Sequence, residues 1–378
     1  KLMIKGGKAM FGNFNFINTI KFNAYKIDKQ LLMISYLLTL ISTIFVYSAT
    51  RSIKYIILNV MWIVVGTITM MIITFFDYKK LKNYLWQLYG IGIILMLLVR
   101  IVGKKTLGAQ RWIKLGPITI QPSEFVKIII IIILAYWITS RFKRGIRSLK
   151  DLMMAFLPAI PLLILILAQP DLGTTLIVTF SFGCMVFLYK TNPVLIAGIM
   201  ITILLIFGTY PLYRPLLSDY QQKRVETFLN PEQDKQGGGW QVTQSKISVG
   251  AGGFIGSGIF KGSQSRLEFL PEAQTDFIFS IISEETGFLG SSIVLGLYFW
   301  LIYSLIKISK KIDDDFGKLL LYGIAGIFLF HVLINVGMTL GLAPVTGKPL
   351  LLLSYGGSSF LSSFMLIGLA ESVKVNSD

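Results

Sequence analysis

Apolar runs of about 20 residues recur along the chain, and each is long enough to cross the roughly 30 Å hydrocarbon core of a bilayer. They predict ten membrane-spanning helices, at residues 30–49, 54–76, 82–102, 122–139, 152–169, 173–189, 194–213, 276–306, 318–340 and 357–374. The core of a soluble protein does not require so many uninterrupted runs. The pattern therefore predicts an all-α polytopic membrane protein, with residues 1–29 as a cytoplasmic or interfacial segment and residues 30–378 as one membrane domain.

The eighth run is too long for one straight crossing of the bilayer. Gly287 and Gly290 lie near its start, where glycines weaken a helix. We therefore expect a break between a short entry helix, at residues 276–286, and the spanning part.

The charged residues orient these helices. The 378 residues carry a formal net charge of +17, and lysine and arginine concentrate in the short connections at 77–83, 141–150 and 307–318. Cytoplasmic loops of membrane proteins show this excess, so we expect these connections and both termini to be cytoplasmic. Membrane topology explains the basic composition without a nucleic-acid partner, and the single cysteine, Cys184, excludes an intramolecular disulfide.

Two long connections lie on the opposite, extracytoplasmic face of this topology. The first, at 103–121, carries Arg111, Trp112 and Lys114, and the second, at 214–275, joins the seventh and eighth spans. Lysine and arginine normally concentrate on the cytoplasmic face, so basic residues on this face need another explanation. An anionic ligand such as a phosphate would provide one. Arg111, Lys114 and Lys127 are therefore candidate phosphate ligands, and Trp112 suits either the bilayer interface or the face of a sugar.

The start of the fourth span combines a cap and a charge pair. Ser123 is expected to cap the helix, and Glu124 and Lys127 are three residues apart, so they can pair on one face. The pair is either a structural ion pair or part of a lipid-phosphate site, and the sequence supports both interpretations equally. Asp171, before the sixth span, is adequately explained as an N-cap.

The remaining polar connections add candidate binding residues. Gln244 and Lys246 precede a glycine-rich run at 250–258, whose backbone amides could approach phosphates or sugars or, equally, allow close helix packing. The last connection, which contains Ser354, predicts a broken or re-entrant segment that lines a cavity. His331 has no metal-binding partner in the sequence, so we expect a hydrogen-bonded histidine rather than a ligand.

Three acidic residues lie at and just inside the predicted start of the eighth span. Asp276, at the boundary between water and the apolar core, can abstract a proton or hold a divalent cation, and helix capping is the alternative. Glu284 and Glu285 lie deeper, and we expect them to pair with basic residues of neighbouring spans. Asp276 is therefore the candidate catalytic residue.

Several motifs together resemble the SEDS family (shape, elongation, division and sporulation), which are polytopic glycosyltransferases of bacterial cell-wall synthesis. In order along the chain they are GAQRWIKLG, QPSEF, QPDLGT, QSKI, LEFLPEAQTDFIF, EETGFLG and PVTGKPLLLLSYGGSS. The resemblance covers the chain after about residue 28 and implies the family's ten-span fold.

The resemblance also implies an activity. Members of the family polymerise lipid II into glycan strands on the outer face of the bacterial cytoplasmic membrane, with a class B penicillin-binding protein as transpeptidase partner. The family's essential loop aspartate falls on Asp276, and its loop tryptophan linked to activity falls on Trp112. Details of the first loop are closer to the branch that acts in cell elongation and maintains rod shape. The resemblance does not decide whether the protein needs a divalent cation (Mg²⁺ or Mn²⁺), and it implies no other cofactor. It also leaves the role of Lys348 open.

Two other functions fit the ten predicted spans. One is a transporter that flips a lipid-linked precursor, and the other is a non-catalytic scaffold of the elongation machinery. A long outer loop with an acid at its end is better explained by surface chemistry than by transport.

Overall fold

The structure is a computed structural model that describes residues 25–106, 109–116, 118–198, 214, 219–231, 234, 237–263 and 270–377. The predicted N-terminal segment up to residue 24 and most of the predicted seventh span, at 199–213, lie outside the described residues.

The described chain is mainly helical. Its helices are α1 (Lys29–Thr50), α2 (Ile53–Phe75), α3 (Leu85–Val102), α4 (Ser123–Arg141), α5 (Leu149–Leu167), α6 (Leu172–Leu188), α7 (Asp219–Leu229), α8 (Gly238–Gly252), α9 (Ile278–Ser309), α10 (Asp315–Thr339) and α11 (Gly357–Val375). Eight of these described helices are long and apolar enough to cross a membrane, and α6 is a shorter apolar helix. Each predicted span except the seventh therefore has a counterpart, and the protein is a multi-pass membrane protein.

The helices differ in how much they are enclosed by their neighbours. In the most apolar stretch of α4 and α11, 72% and 83% of the residues are buried, against 17% in α2 and α3. Contacts between α11 and α2 are close, because a Cβ added at Gly368 would lie 2.7 Å from the backbone oxygen of Met70. We infer that α4 and α11 form the core and that α2 and α3 face lipid.

The connection at 103–121, which the sequence identified only as a long connection, has regular structure. It contains a three-stranded antiparallel sheet of β1 (Lys104–Thr106), β2 (Ala109–Leu115) and β3 (Ile118–Ile120). The central strand β2 carries Arg111, Trp112 and Lys114, and its register pairs Lys104 with Trp112 and Ile113 with Ile120. Pairing both edges of β2 fixes the position of these three residues relative to α4.

A break in α9 confirms the prediction at Gly287, which has φ 66° and ψ −160°. Segment 253–263 fills the break. The amides of Ser257 and Gly258 donate to the carbonyls of Glu284 and Glu285, at 2.9 and 3.0 Å. In return, the carbonyl oxygens of Gly253 and Phe254 accept from the amides of Phe288 and Leu289. Backbone groups inside a bilayer need partners within the protein, and this exchange supplies them.

The short basic connections meet on one side of the protein, which we call the basic face (residues 77–83, 141–150, 189–192 and 307–315). Ion pairs cross between them, from Lys82 to Asp314 at 3.4 Å and from Lys190 to Asp315 at 2.7 Å. Because α9 runs from the Asp276 segment to residue 309, the basic face lies at the opposite end of the helix bundle from Asp276.

Replacing Gly287 by alanine should destabilise the protein by about 1–3 kcal/mol, because only glycine readily adopts this φ/ψ region. A Cβ at Gly287 would also lie 2.4 Å from the amide nitrogen of Gly256. The measurement is the midpoint of thermal unfolding in detergent. The matched control is Gly296→Ala in the same helix, where an added Cβ meets no atom within 4 Å. Equal midpoints for the two variants would contradict this prediction.

Candidate active site

Asp276 lies in the turn that leads into α9, and its backbone is fixed from two sides. The buried side-chain amide of Asn335, on α10, donates to the backbone oxygens of both Asp276 and Lys348, each at 2.9 Å. The amide of Tyr355 donates to the carbonyl of Gln274 at 2.9 Å. These bonds hold the Asp276 segment against the connection between α10 and α11.

The carboxylate of Asp276 is only partly exposed, and it accepts no hydrogen bond from any residue that the structure describes. Burial and, after it, the nearby charge of Glu272 raise the pKa of Asp276 to about 6, although Lys348 and Arg224 act in the opposite direction. A partly shielded carboxylate with no donor to satisfy it is suited to accept a proton from a bound hydroxyl group. Capping of α9 is not its role, because Phe277 occupies the cap position and makes no side-chain cap.

A cavity of about 430 Å³ opens beside this segment, between α7, α8 and the chain at 341–345. Arg224, Lys246, Asp234 and Gln241 give it a polar wall, and Phe228, Val242 and Pro344 are among its apolar lining residues. Arg224 acts electrostatically on Asp276, so the cavity and the carboxylate are close neighbours. The arrangement places Arg224 near a proton acceptor, and Lys246 lines the same cavity.

Lys348, whose role the sequence left open, forms a buried ion pair with Asp171 at 3.0 Å. Its ammonium group also donates to the hydroxyl of Thr174 at 2.6 Å. The same carboxylate accepts from the backbone amide of Thr174 at 3.1 Å, so the predicted N-cap of α6 is confirmed. Asp171 is therefore both a cap and the counter-ion of a buried lysine.

Ser123 was predicted to cap α4, and this prediction is wrong. Pro122 occupies the cap position, and the hydroxyl of Ser123 instead donates to Asp171 at 3.0 Å. The side-chain amide of Gln121 donates to the same carboxylate at 3.2 Å. Satisfying a buried anion takes precedence over capping, because an unpaired buried charge costs more than a lost cap.

Of the three candidate residues on β2, Arg111 contacts the turn before Asp171. The guanidinium group of Arg111 donates to the carbonyl of Gln169 at 3.0 Å and also to that of Pro170. Arg111 thus ties the sheet to the turn that ends in Asp171. Trp112 is 37% exposed, and Lys114 is also exposed.

Glu124 and Lys127 form a fully buried ion pair within α4. The ammonium group of Lys127 also lies 3.2 Å from Nε2 of His331, whose Nδ1 lies 2.8 Å from the carbonyl oxygen of Pro349. The two contacts fit a neutral imidazole that donates from Nδ1 and accepts at Nε2. His331 is therefore hydrogen-bonded, as predicted, and the structure supports the structural interpretation of Glu124 and Lys127.

The two deeper glutamates bind segment 253–263. Glu284 accepts from the amide and the hydroxyl of Ser263, at 2.6 and 3.0 Å. Glu285 accepts from the amide of Phe260 at 3.0 Å and from the hydroxyl of Ser48. The predicted basic partner of Glu285 is wrong for the described part of the chain, where a backbone amide and a hydroxyl group donate charge-assisted hydrogen bonds to this carboxylate instead.

Of the other candidate residues, some line the cavity and others do not. Lys246 lines the cavity, whereas Gln244, buried on α8, does not. Arg111, Lys114 and Lys127 are also absent from its described lining, so the predicted phosphate cluster is not assembled there. Ser354 has a structural role, since its hydroxyl accepts from the amide of Leu350 at 2.8 Å.

Arg224 was missed by the sequence analysis. It lies on α7 with Thr227 and Phe228, three and four residues further on, and all three face the cavity. This helical spacing was the available signal, but residues 214–275 were considered only as a long connection between two spans. Among the residues that the structure describes, no three His, Cys, Asp or Glu side chains converge to hold a metal ion.

Removing the positive charge of the buried ion pair should destabilise the fold. We expect Lys348→Met to lower the free energy of unfolding by about 3–5 kcal/mol, because it removes the ion-pair partner of the buried Asp171 carboxylate. The double variant Asp171→Asn/Lys348→Met should recover part of the loss, since asparagine still caps α6. Thermal unfolding in detergent measures both.

The control for this prediction is Lys190→Met, which breaks an ion pair whose lysine is 55% exposed. Such pairs contribute about 0–1 kcal/mol. A loss in Lys348→Met no larger than in Lys190→Met would contradict a structural role for the buried pair.

Comparison with known proteins connects this geometry to a family. Residues 27–378 match the sequence pattern of the FtsW, RodA and SpoVE family, described as cell cycle proteins. The peptidoglycan glycosyltransferase RodA of Treponema pallidum is 33% identical, over 92% of this chain and 97% of its own length. The peptidoglycan glycosyltransferase MrdB of Escherichia coli K12 is 35% identical, over 92% of this chain and 93% of its own length.

Two solved structures share the fold. A chain from a peptidoglycan synthase complex that coordinates polymerization and crosslinking is 29% identical, with a TM-score of 0.79 over 93% of this chain and 98% of its own length. The rod shape determining protein RodA of Thermus thermophilus is 26% identical, with a TM-score of 0.69 over 93% of this chain and 97% of its own length.

Proposed function

The chain belongs to the FtsW, RodA and SpoVE family of cell cycle proteins, and on this premise we propose that it is a peptidoglycan glycosyltransferase that polymerises lipid II. The observation that carries the proposal is the Asp276 carboxylate, which is partly shielded, raised in pKa and without a hydrogen-bond donor among the described residues. Names of relatives support the reaction class, since both RodA and MrdB are peptidoglycan glycosyltransferases.

In the proposed reaction, Asp276 is the general base. The 4-hydroxyl of the acceptor sugar attacks the anomeric carbon of the donor, and its proton passes to the Asp276 carboxylate. The bond between that carbon and the pyrophosphate oxygen breaks as the new glycosidic bond forms, with inversion at the anomeric carbon. The electron pair of the broken bond leaves with the polyprenyl pyrophosphate.

The departing pyrophosphate needs cations, and we assign this role to Lys246 and Arg224. Both line the cavity beside Asp276, and a guanidinium group suits bidentate contact with phosphate oxygens. A divalent cation at Asp276 is the alternative for activating the hydroxyl group. Mg²⁺ is commonly held by one or two carboxylates together with substrate phosphates, so such an ion would complete its ligand set from the pyrophosphate.

The setting follows from the topology and the family. We place the basic face in the cytoplasm, together with both termini, because lysine and arginine favour that side. Asp276 then lies on the extracytoplasmic face of a bacterial inner membrane. The fold is shared with a chain of a peptidoglycan synthase complex, which supports a class B penicillin-binding protein as the crosslinking partner. We assign the elongation role, and hence the maintenance of rod shape, from the RodA-like form of the loop motifs.

Replacing Asp276 by asparagine should lower the rate of lipid II polymerisation by about 10²–10⁴, the usual contribution of a general base. Purified wild-type and variant proteins are incubated with labelled lipid II, and glycan strands are separated by gel electrophoresis. Polymer made by the isolated wild-type chain also distinguishes an enzyme from a scaffold or a flippase.

The matched control is Glu272→Gln, which removes an exposed carboxylate from the same turn. At alkaline pH it should polymerise at the wild-type rate. Thermal unfolding midpoints of both variants exclude misfolding as the cause of a lost rate. Wild-type polymerisation by Asp276→Asn would contradict the assignment of the base.

The polymerisation rate should depend on pH through the same carboxylate. A base acts only when deprotonated, so the rate at limiting substrate should fall as pH falls through about 6, the raised pKa of Asp276. Glu272→Gln should move this midpoint to lower pH, because the Glu272 charge is the second cause of the rise. A midpoint near the ordinary value of 3.8, or one that does not move in the variant, would contradict the prediction.

A further inference from the structure

A second cavity lies on the basic face, at the far end of α9 from Asp276. Its volume is about 560 Å³, and it is formed by the segment before α1, the end of α9 and the end of α11. Its described lining residues are Tyr25, Lys26, Ile27, Asp28, Lys29, Gln30, Lys307, Lys311, Ile312, Lys374 and Ser377. We call this cavity the lysine pocket.

The charge of the lysine pocket is strongly unbalanced. Five lysines line it with only one carboxylate among the described residues, that of Asp28. One oxygen of that carboxylate is already engaged, because it accepts from the amides of Gln30 and Leu31 at the start of α1. Lysines that converge from three separate chain segments repel one another unless an anion lies between them.

Positive-inside topology accounts for lysines on this face but not for their lack of partners. Lys29, Lys307, Lys311 and Lys374 form no ion pair with any carboxylate in the described part of the chain. In contrast, other basic residues on the same face are paired, including Lys82, Lys190 and Lys318. These four lysines are therefore available to a ligand.

The wall of the pocket is a built part of the fold. The buried side chain of Glu371, on α11, accepts from the backbone amide of Asp28 at 2.9 Å and so fixes the segment before α1 against α11. Ile27 and Ile312 add apolar surface, and Tyr25 at the rim is 87% exposed. Exposed aromatic side chains are typical of the level at which lipid headgroups lie.

We propose that the lysine pocket binds the phosphate headgroup of an acidic glycerophospholipid from the adjoining leaflet. Basic pockets between membrane-spanning helices on the cytoplasmic side bind such headgroups. The pocket lies where α9 and α11 end, so a lipid can place its phosphate among the lysines while its acyl chains stay in the bilayer. A free anion would use the lysines but not the apolar residues or the rim tyrosine.

The test uses the full-length protein in detergent and native mass spectrometry to measure bound lipid. The probes are dioleoylphosphatidylglycerol and dioleoylphosphatidylcholine, which share acyl chains and differ in headgroup charge, with glycerol 3-phosphate as soluble competitor. We expect the wild-type protein to retain phosphatidylglycerol in preference to phosphatidylcholine. The triple variant Lys307→Gln/Lys311→Gln/Lys374→Gln should weaken phosphatidylglycerol binding more than about tenfold, since each lysine near a lipid surface contributes about a fivefold factor.

The matched control is Lys143→Gln/Lys150→Gln/Lys310→Gln, which removes the same charge from the same face outside the described lining of the pocket. It should bind phosphatidylglycerol as the wild-type protein does, and thermal midpoints check that both triple variants fold. Equal weakening in the two variants would overturn the proposal in favour of a diffuse surface charge. Displacement of the lipid by glycerol 3-phosphate at comparable concentration would overturn it in favour of a soluble anion.

Discussion

The side-chain amide of Asn335 is the interaction on which the candidate active site depends. One nitrogen donates to the backbone of Asp276 and to that of Lys348, which belong to two connections far apart in sequence. Lys348 in turn pairs with Asp171, which caps α6 and accepts from the polar residues at the start of α4. The position of the proposed base is thus fixed through a buried chain of polar contacts that joins α4, α6 and α10.

A second constraint is that every backbone N–H and C=O group left unpaired at a helix break within the membrane needs a hydrogen-bond partner from the protein. The break at Gly287 is possible because segment 253–263 exchanges hydrogen bonds with both halves of α9. Glu284 and Glu285 hold this segment by accepting from its amides. The irregular segment 253–263 is therefore bonded to both halves of α9, which begins directly after the turn that carries Asp276.

Local signals predicted more of the fold than of the site. Hydrophobic run length located the described spans, and the two glycines of the eighth run located its break, because both properties depend on residues close in sequence. Partners of the buried charges could not be predicted in the same way. Asp171 and Lys348 are 177 residues apart, and Ser123 became a ligand of Asp171 rather than a cap only through tertiary packing. Sequence spacing did identify the Glu124–Lys127 pair, since three residues bring side chains together on any helix.

The buried acidic residues differ from Asp276 in the contacts that their carboxylates make. Asp171, Glu124, Glu284 and Glu285 are all buried and all accept hydrogen bonds or ion pairs from within the protein. A carboxylate held by such contacts weakens or loses them when it takes a proton from a substrate, which costs about 1.5–3 kcal/mol for each charged hydrogen bond. Asp276 has no such contact with a described residue, so proton abstraction there carries no equivalent cost. The same reasoning separates the cations: Lys127 and Lys348 are occupied by buried partners, whereas Lys246 faces a cavity large enough for a diphosphate. We therefore propose that Asp276 and Lys246 take part in the reaction, because neither forms an ion pair with a described residue.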